Sequence, residues 1–193
     1  MATTNPFADR LRFERRAPGL YIVIFAASGD LSKRNLLPAL YRLAYDRRLP
    51  ATVKILGTSR TPLIDDEFRA KMHDAVAEFL EDAKLDENQW ADFARHLHYV
   101  AGDMSDPALY ASLKDKLTEL ARPSVLYYLS TQPSYYGEVV QRLGAAGFGS
   151  ASSRTIAAND CRGWQRLVVE KPFGHDLASA RRLNDQIHSV FAE

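Results

Sequence analysis

Two kinds of apolar pattern alternate along the chain. Short runs rich in β-branched residues are typical of strands buried on both faces, and longer segments with apolar residues every three or four positions are typical of helices. The predicted strands span residues 20–27, 52–57, 97–101, 125–129 and 166–170. The predicted helices span residues 36–48, 65–80, 87–94, 107–120, 133–143 and 177–190, with a loop over 150–163. This alternation predicts an α/β fold with a doubly wound parallel sheet.

Residues 1–18 lack the apolar periodicity of the rest of the chain. They are rich in arginine and contain no continuous apolar segment of the kind that a secretory signal requires. We therefore expect a flexible, solvated tail over 1–18 and a single domain over 19–193.

Composition and charge exclude several classes of protein. Hydrophobic residues make up 46% and charged residues 25% of the chain, as in ordinary globular proteins. The net charge of +1 gives no general attraction to nucleic acid or to an anionic membrane. The only cysteine, Cys161, cannot form a disulfide within the chain or build a zinc site alone. We expect a cytoplasmic protein without a structural metal, a nucleic-acid partner or a membrane partner.

The loop after the first predicted strand has the composition of an anion-binding turn. In doubly wound sheets, ligands bind beyond the carboxyl ends of the strands, where small residues admit a pyrophosphate and a helix start offers free N–H groups. The loop comprises Ala26, Ala27, Ser28, Gly29, Asp30, Leu31, Ser32 and Lys33. With Lys33 and Arg34 adding positive charge, we interpret it as a pyrophosphate site, although it has one glycine where G-x-G-x-x-G has three. A tight turn without a ligand is the alternative.

The loop after the second strand bears on the choice of dinucleotide. An acidic residue there accepts the 2′-hydroxyl of NAD, whereas an arginine favours the 2′-phosphate of NADP. Residues 57–60 contain no acid, and Arg60 offers a fork of donors to a phosphate, with Thr58 and Ser59 as additional hydroxyl donors. These residues predict a Rossmann-like domain that binds NADP. The alternative is a solvated loop arginine, and we expect Asp65 and Asp66 to cap the next helix.

Four motifs, in this order and spacing, resemble the N-terminal coenzyme domain of the glucose-6-phosphate dehydrogenase family. They are Ala-Ser-Gly-Asp-Leu-Ser-Lys (27–33), Leu-Leu-Pro-Ala-Leu-Tyr (36–41), Gly-Thr-Ser-Arg (57–60) and Val-Glu-Lys-Pro-Phe-Gly-His-Asp-Leu (169–177). The last motif is the most specific, and the four together cover nearly the whole chain after the tail.

The resemblance implies a role for each loop. It implies that residues 26–33 surround the pyrophosphate and that Arg60 holds the 2′-phosphate of NADP. It places Asp103 and Met104 against the coenzyme and Tyr136 beside its nicotinamide half.

The resemblance also implies a reaction. Lys171 would bridge the coenzyme and the substrate, glucose 6-phosphate, and act as a catalytic residue in its oxidation to 6-phosphogluconolactone in the oxidative pentose phosphate pathway. The full-length enzyme would be a homodimer or homotetramer. In this family the peptide bond between Lys171 and Pro172 can be cis.

The chain departs from the family pattern at two loop positions. Ala26 stands where the family usually has glycine, and its methyl group would crowd the pyrophosphate. Gln132 stands where the family generally has a proline, so we expect a more mobile loop before Tyr136.

The chain also lacks a recognisable catalytic base. Of its five histidines, His175 follows Lys171 in the last motif, but its family counterpart is often arginine. The family's catalytic histidine and phosphate-binding motif would come after Glu193. We therefore expect this chain to bind coenzyme without turning over substrate.

A sensor remains open as a second function, whereas a short-chain type of reductase is disfavoured. A non-catalytic NADP(H) sensor would explain the missing base, although a sensor has no use for a substrate lysine at position 171. A short-chain type of reductase would need a Tyr-x-x-x-Lys pair on one helix face, and we do not expect such a pair.

Overall fold

The computed structural model describes residues 19–80, 84–119, 124–149 and 163–191. Residues 1–18 and most of the predicted 150–163 loop lie outside these described residues. The strands are β1 (Tyr21–Phe25), β2 (Lys54–Ser59), β3 (Leu97–Ala101), β4 (Val125–Leu129) and β5 (Gln165–Val169). The helices are α1 (Leu37–Tyr45), α2 (Asp65–Phe79), α3 (Glu87–Ala94), α4 (Pro107–Glu119), α5 (Tyr136–Ala145) and α6 (Leu177–Val190). None of the helices in this part of the chain is long and apolar enough to cross a membrane.

The five strands form one sheet in the order β3-β2-β1-β4-β5, and every neighbouring pair is parallel. The register places Phe25 beside Thr58 of β2 on one side and beside Leu129 of β4 on the other. The strand order therefore reverses at β1, which is the topology of a Rossmann-like domain. The predicted doubly wound parallel sheet is confirmed.

The two faces of the sheet bury separate apolar layers. Val23 and Phe25 of β1 pack in the layer that includes residues of α4, α5 and α6, whereas Ile22 and Ile24 pack in the layer that includes residues of α1, α2 and α3. Because successive side chains of a strand point to opposite faces, a strand covered on both sides needs apolar residues at every position. This explains the uninterrupted apolar run that identifies β1 in the sequence.

Strand β2 begins and ends two residues later than predicted. The N–H of Val53 donates to the carbonyl of Pro50 at 3.0 Å, so the segment before Lys54 is a turn. At the other end, Ser59 pairs with Ala101 of β3 and extends the strand to the edge of the sheet.

The first helix begins earlier than predicted. A π-helical turn, Ser32–Leu36, precedes α1, and the helical segment starts near Asp30. The apolar periodicity predicts which face of α1 is buried. It does not predict that the chain becomes helical within the first loop, at Asp30.

Asp176 and Asp106 cap the helices that follow them, whereas the expectation that Asp65 and Asp66 cap α2 is wrong. The carboxylate of Asp176 accepts from the N–H of Ser179 at 2.6 Å, and that of Asp106 accepts from the second residue of α4 at 2.9 Å. Asp65 does not cap α2, since the N-cap position is Ile64. Its carboxylate accepts instead from the N–H of Tyr99, at 2.8 Å, and ties α2 to β3.

Gly57 of β2 lies directly against the ring of Phe68 from α2. A Cβ atom at this position would lie 2.6 Å from Cζ of Phe68 and 2.9 Å from Cβ of Ala27. We predict that Gly57→Ala lowers the free energy of unfolding by about 1–3 kcal/mol, the usual effect of overpacking a core. Urea denaturation checks this, with Ala77→Ser on the exposed side of α2 as the control. An unchanged free energy of unfolding for Gly57→Ala would contradict the described packing.

Candidate functional site

The strand order reverses between β1 and β4, which is the position at which doubly wound sheets have a ligand-binding crevice beyond the carboxyl ends of the strands. Ser32, at the start of the first helix, is fully buried, and its hydroxyl donates to the hydroxyl of Ser130 after β4 at 2.9 Å. The same hydroxyl lies 3.5 Å from the carbonyl of Ala26, at the end of β1. One side chain therefore joins the first helix to both strands that flank the crevice.

The turn that leaves β1 depends on an unusual backbone conformation. Ala26 has a φ of 57°, in the left-handed region, and the N–H of Gly29 donates to its carbonyl at 2.8 Å. A side chain in this region costs about 1–2 kcal/mol relative to the ordinary helical conformation, and only glycine avoids the cost. Glycine at this position would avoid the backbone cost, in addition to the crowding by a methyl group expected from the sequence.

The eight loop residues predicted to surround a pyrophosphate divide by exposure. The side chains of Ala27 and Ser32 are fully buried and hold the loop in place. Five residues are half-buried, namely Ala26, Ser28, Gly29, Leu31 and Lys33, and Asp30 is exposed. The first N–H groups of a helix have no acceptor within the helix, so the segment from Asp30 directs free donors and the positive end of its dipole toward the crevice.

Arg34 does not contribute the free positive charge that the sequence suggests. Its guanidinium pairs with the Asp30 carboxylate at 2.6 Å and lies over the ring of Phe79, with its Cζ 4.9 Å from the ring centroid. Lys33 has no ion pair among the described residues, so it is the basic side chain of this loop that is left to meet an anion.

The loop after β2 presents Arg60 at the same edge of the sheet. Its side chain is exposed and forms no ion pair within the part of the chain that the structure describes. It lies near Asp103, in the loop after β3. The N–H and hydroxyl of Ser105 donate to Asp103 at 2.9 and 2.8 Å and lower the pKa of its carboxyl, and the charge of Arg60 lowers it further.

The two hydroxyls before Arg60 are not placed as the sequence suggests. Thr58 is fully buried within β2, and its hydroxyl has no hydrogen-bond partner among the described residues. The hydroxyl of Ser59 contacts those of Ser28, at 2.8 Å, and Tyr99, at 2.6 Å. Thr58 is therefore not a surface donor for a phosphate, because its position in the register turns its side chain into the core.

Met104, after β3, is only partly available to a ligand. Its side chain packs against the apolar layer beneath α4 and α5, and its carbonyl accepts from the hydroxyl of Tyr110 at 2.7 Å. A coenzyme would meet the outer side of this loop, where Asp103 is exposed.

Two tyrosines hold the residue that precedes Lys171. The buried Tyr136 donates from its hydroxyl to the carbonyl of Glu170 at 3.2 Å, and the hydroxyl of Tyr128 donates to the Glu170 carboxylate. Burial, together with the neighbouring carboxylate, raises the pKa of Tyr128 to about 12. Lys171 itself is exposed, and its peptide bond to Pro172 is cis.

Sequence reasoning missed the pair formed by Tyr128 and Glu170. The sequence gives little indication of this pair, since the pattern makes Tyr128 one more residue of an apolar strand and Glu170 a charged residue at the end of a strand. Only the pairing of β4 with β5 brings them together.

A Tyr-x-x-x-Lys pair does occur, at Tyr110 and Lys114 of α4, so its expected absence is wrong. The pair is nevertheless unsuited to catalysis. Tyr110 is buried, burial raises the pKa of its hydroxyl, and that hydroxyl donates to the backbone. Lys114 lies 3.4 Å from the carbonyl of Ala146.

Comparison with known proteins decides the family. The family model described as "Glucose-6-phosphate dehydrogenase, NAD binding domain" matches residues 23–193. The chain belongs to the glucose-6-phosphate dehydrogenase family. The resemblance drawn from the four sequence motifs is thereby confirmed.

Relatives in the glucose-6-phosphate dehydrogenase family are similar to this chain over nearly all of its length. Glucose-6-phosphate 1-dehydrogenase of Aggregatibacter actinomycetemcomitans is 42% identical over 92% of this chain, and that of Chlamydia pneumoniae is 36% identical over 95%. The matched segments make up 35% and 36% of those two proteins, so the chain spans about a third of the length of the curated relatives it matches.

Solved structures of the glucose-6-phosphate dehydrogenase family share the fold. One is titled as the enzyme in complex with its substrate glucose-6-phosphate, with a TM-score of 0.75 and 32% identity over 92% of this chain and 35% of that one. The Mycobacterium avium enzyme gives a TM-score of 0.73 and 31% identity over 90% of this chain and 34% of that one.

The hydrogen bond between Ser32 and Ser130 provides a test of the crevice geometry. We predict that Ser32→Ala lowers the free energy of unfolding by about 1–3 kcal/mol, because the buried hydroxyl of Ser130 loses its partner. The double variant Ser32→Ala/Ser130→Ala is expected to recover part of this loss, since no unpaired hydroxyl then remains. Chemical denaturation measures both, with Ser112→Ala on the exposed side of α4 as the control. A double variant at least as destabilised as the sum of the two single variants would contradict the pairing.

Proposed function

We propose that this chain is the coenzyme-binding domain of a glucose-6-phosphate 1-dehydrogenase and that its coenzyme is NADP. The observation that carries the choice of coenzyme is the exposed guanidinium of Arg60, at the end of β2, in a turn without a carboxylate. A 2′-phosphate would be attracted to this position, whereas the 2′-hydroxyl of NAD would find no acidic acceptor within residues 57–60.

The donor groups at this edge fit a phosphorylated dinucleotide. The first helix directs backbone N–H groups toward the crevice, and Lys33 and Arg60 are free of ion pairs among the described residues. Two different sets of donors are thus available, the helix start for the pyrophosphate and Arg60 for the 2′-phosphate. The other proposed coenzyme contacts are Ala26 to Lys33, Asp103, Met104 and Tyr136.

The substrate end of the proposed site lies at β5. A bound nicotinamide supplies the hydride acceptor for oxidation of the sugar. In this proposal Lys171 donates a hydrogen bond from its ammonium group to the sugar phosphate substrate and orients it. Tyr128 and Tyr136 hold Glu170, the residue that precedes Lys171 in the chain. His175 is exposed, and its Nε2 lies 3.7 Å from the carboxylate of Asp176. We do not propose it as the base. The base is proposed to lie outside this chain, which by itself binds coenzyme without turnover.

Coenzyme titration tests the proposed role of Arg60. We expect this chain to bind NADP more tightly than NAD, and Arg60→Ala to weaken NADP binding at least about tenfold by removing charge-assisted hydrogen bonds to the 2′-phosphate. NAD binding should stay within about twofold, because NAD lacks that phosphate. Isothermal titration calorimetry measures both coenzymes, and Arg48→Ala, an exposed arginine in the loop between α1 and β2, is the matched control. Equal affinities for NADP and NAD in the unmodified chain would exclude the assignment.

Steady-state kinetics test the proposed role of Lys171. In a full-length enzyme that contains this domain, Lys171→Ala should lower kcat with glucose 6-phosphate by about a hundredfold or more, the effect expected when a reacting group loses its orientation. Coenzyme binding and the far-ultraviolet spectrum should change little. Lys71→Ala, on the exposed side of α2, is the control. Unchanged turnover would remove Lys171 from the site, and a full-length protein that binds NADP but oxidises no sugar phosphate would favour the sensor.

A further inference from the structure

Tyr99 lies directly beneath the loop that carries Arg60. It is the third residue of β3, its side chain is 6% exposed, and its ring stacks on that of Phe68 with 4.8 Å between centroids. The stacking fixes the ring between β3 and α2, so the phenol oxygen has one defined position at the carboxyl edge of the sheet. The sequence identifies Tyr99 only as a strand residue.

The phenol group of Tyr99 contacts the backbone on both sides of Arg60. It lies 2.8 Å from the carbonyl oxygen of Thr61 and 3.2 Å from that of Ser59, and it is also 2.6 Å from the hydroxyl of Ser59. The residues before and after Arg60 are therefore held by one buried side chain. A loop arginine would otherwise sample many backbone conformations before it met a ligand.

Proton counting gives the hydrogen bonds a direction. Tyr99 has one hydroxyl proton, and the shorter of its two carbonyl contacts assigns that proton to Thr61. The Ser59 hydroxyl then donates to the phenol oxygen, and the Ser28 hydroxyl donates to Ser59 across 2.8 Å. The chain of hydroxyls runs from the first loop, through the second, to the third strand, and each bond polarises the next.

We propose that Tyr99 is a positioning residue for coenzyme selectivity, which holds the loop of Arg60 in the conformation that receives the 2′-phosphate of the coenzyme. The inference rests on the proposed NADP function. It goes beyond that function because Tyr99 is buried behind the loop and acts through Ser59 and Thr61 without touching the coenzyme. Preorganisation of this kind raises affinity because less conformational freedom is lost when the ligand binds.

The variant Tyr99→Phe isolates the hydroxyl, because phenylalanine keeps the ring stacked on Phe68. We expect NADP affinity to fall about tenfold, the effect of losing one buried hydrogen bond, while NAD affinity changes less than about twofold. Tyr127→Phe is the matched control. It also removes a buried hydroxyl, which bonds to Gln165 at 2.9 Å on the opposite face of the sheet, and should leave both affinities unchanged.

A double variant separates positioning from direct binding. If Tyr99 acts only through Arg60, then Arg60→Ala/Tyr99→Phe should discriminate NADP from NAD no less than Arg60→Ala alone. Ser59→Ala, which breaks the hydroxyl chain one step earlier, should lower NADP affinity in the same direction and serves if Tyr99→Phe does not fold, as judged by circular dichroism.

The outcomes distinguish this inference from the proposed function. Loss of NADP preference in both Arg60→Ala and Tyr99→Phe, without additivity, supports the positioning role. Loss in Arg60→Ala alone, equal weakening of NADP and NAD by Tyr99→Phe, or additive losses in the double variant would overturn it. No NADP binding by the unmodified chain, or no effect of Arg60→Ala, would overturn the proposed function and this inference together.

Discussion

The reversal of strand order at β1 is the constraint on which the proposed site depends. Because α1 packs on one face of the sheet and α5 on the other, the loops that follow β1 and β4 lead to opposite faces, and the first helix starts in the gap between them. The bond from Ser32 to Ser130 spans this gap and fixes the helix start against the far strand. A helix start held in this way offers its N–H groups without further ordering, which favours anion binding.

In the proposed function, selectivity between NADP and NAD depends on the loops that follow β2 and β3. The charge of Arg60 attracts a phosphate, but a guanidinium on an exposed loop is screened by solvent and salt unless its geometry is fixed. The contacts of Tyr99 with Ser59 and Thr61 supply that geometry from within the core. In this account the charge determines which coenzyme is preferred, and the buried phenol determines how strongly.

Sequence patterns predicted the sheet but not all the contacts that shape its edge. The bounds of α3, β3 and β4 are as predicted, because each apolar run ends where the chain leaves the core. Thr58 was misplaced because β2 continues for two residues beyond the predicted strand end at Gly57, so that Thr58 lies within the strand and not in the loop after it. Tyr99 and the pair of Tyr128 with Glu170 were missed because their partners are about forty residues away in the chain, and hydrophobic periodicity carries no information on such pairs.

A crystal structure of this chain grown with saturating NADP tests the central claim most directly. The account predicts density for the pyrophosphate against the N–H groups at the start of the first helix, beside residues 26–33, and for the 2′-phosphate within hydrogen-bond distance of the Arg60 guanidinium. An empty crevice, or an adenosine bound with its 2′-phosphate directed away from Arg60, would contradict it.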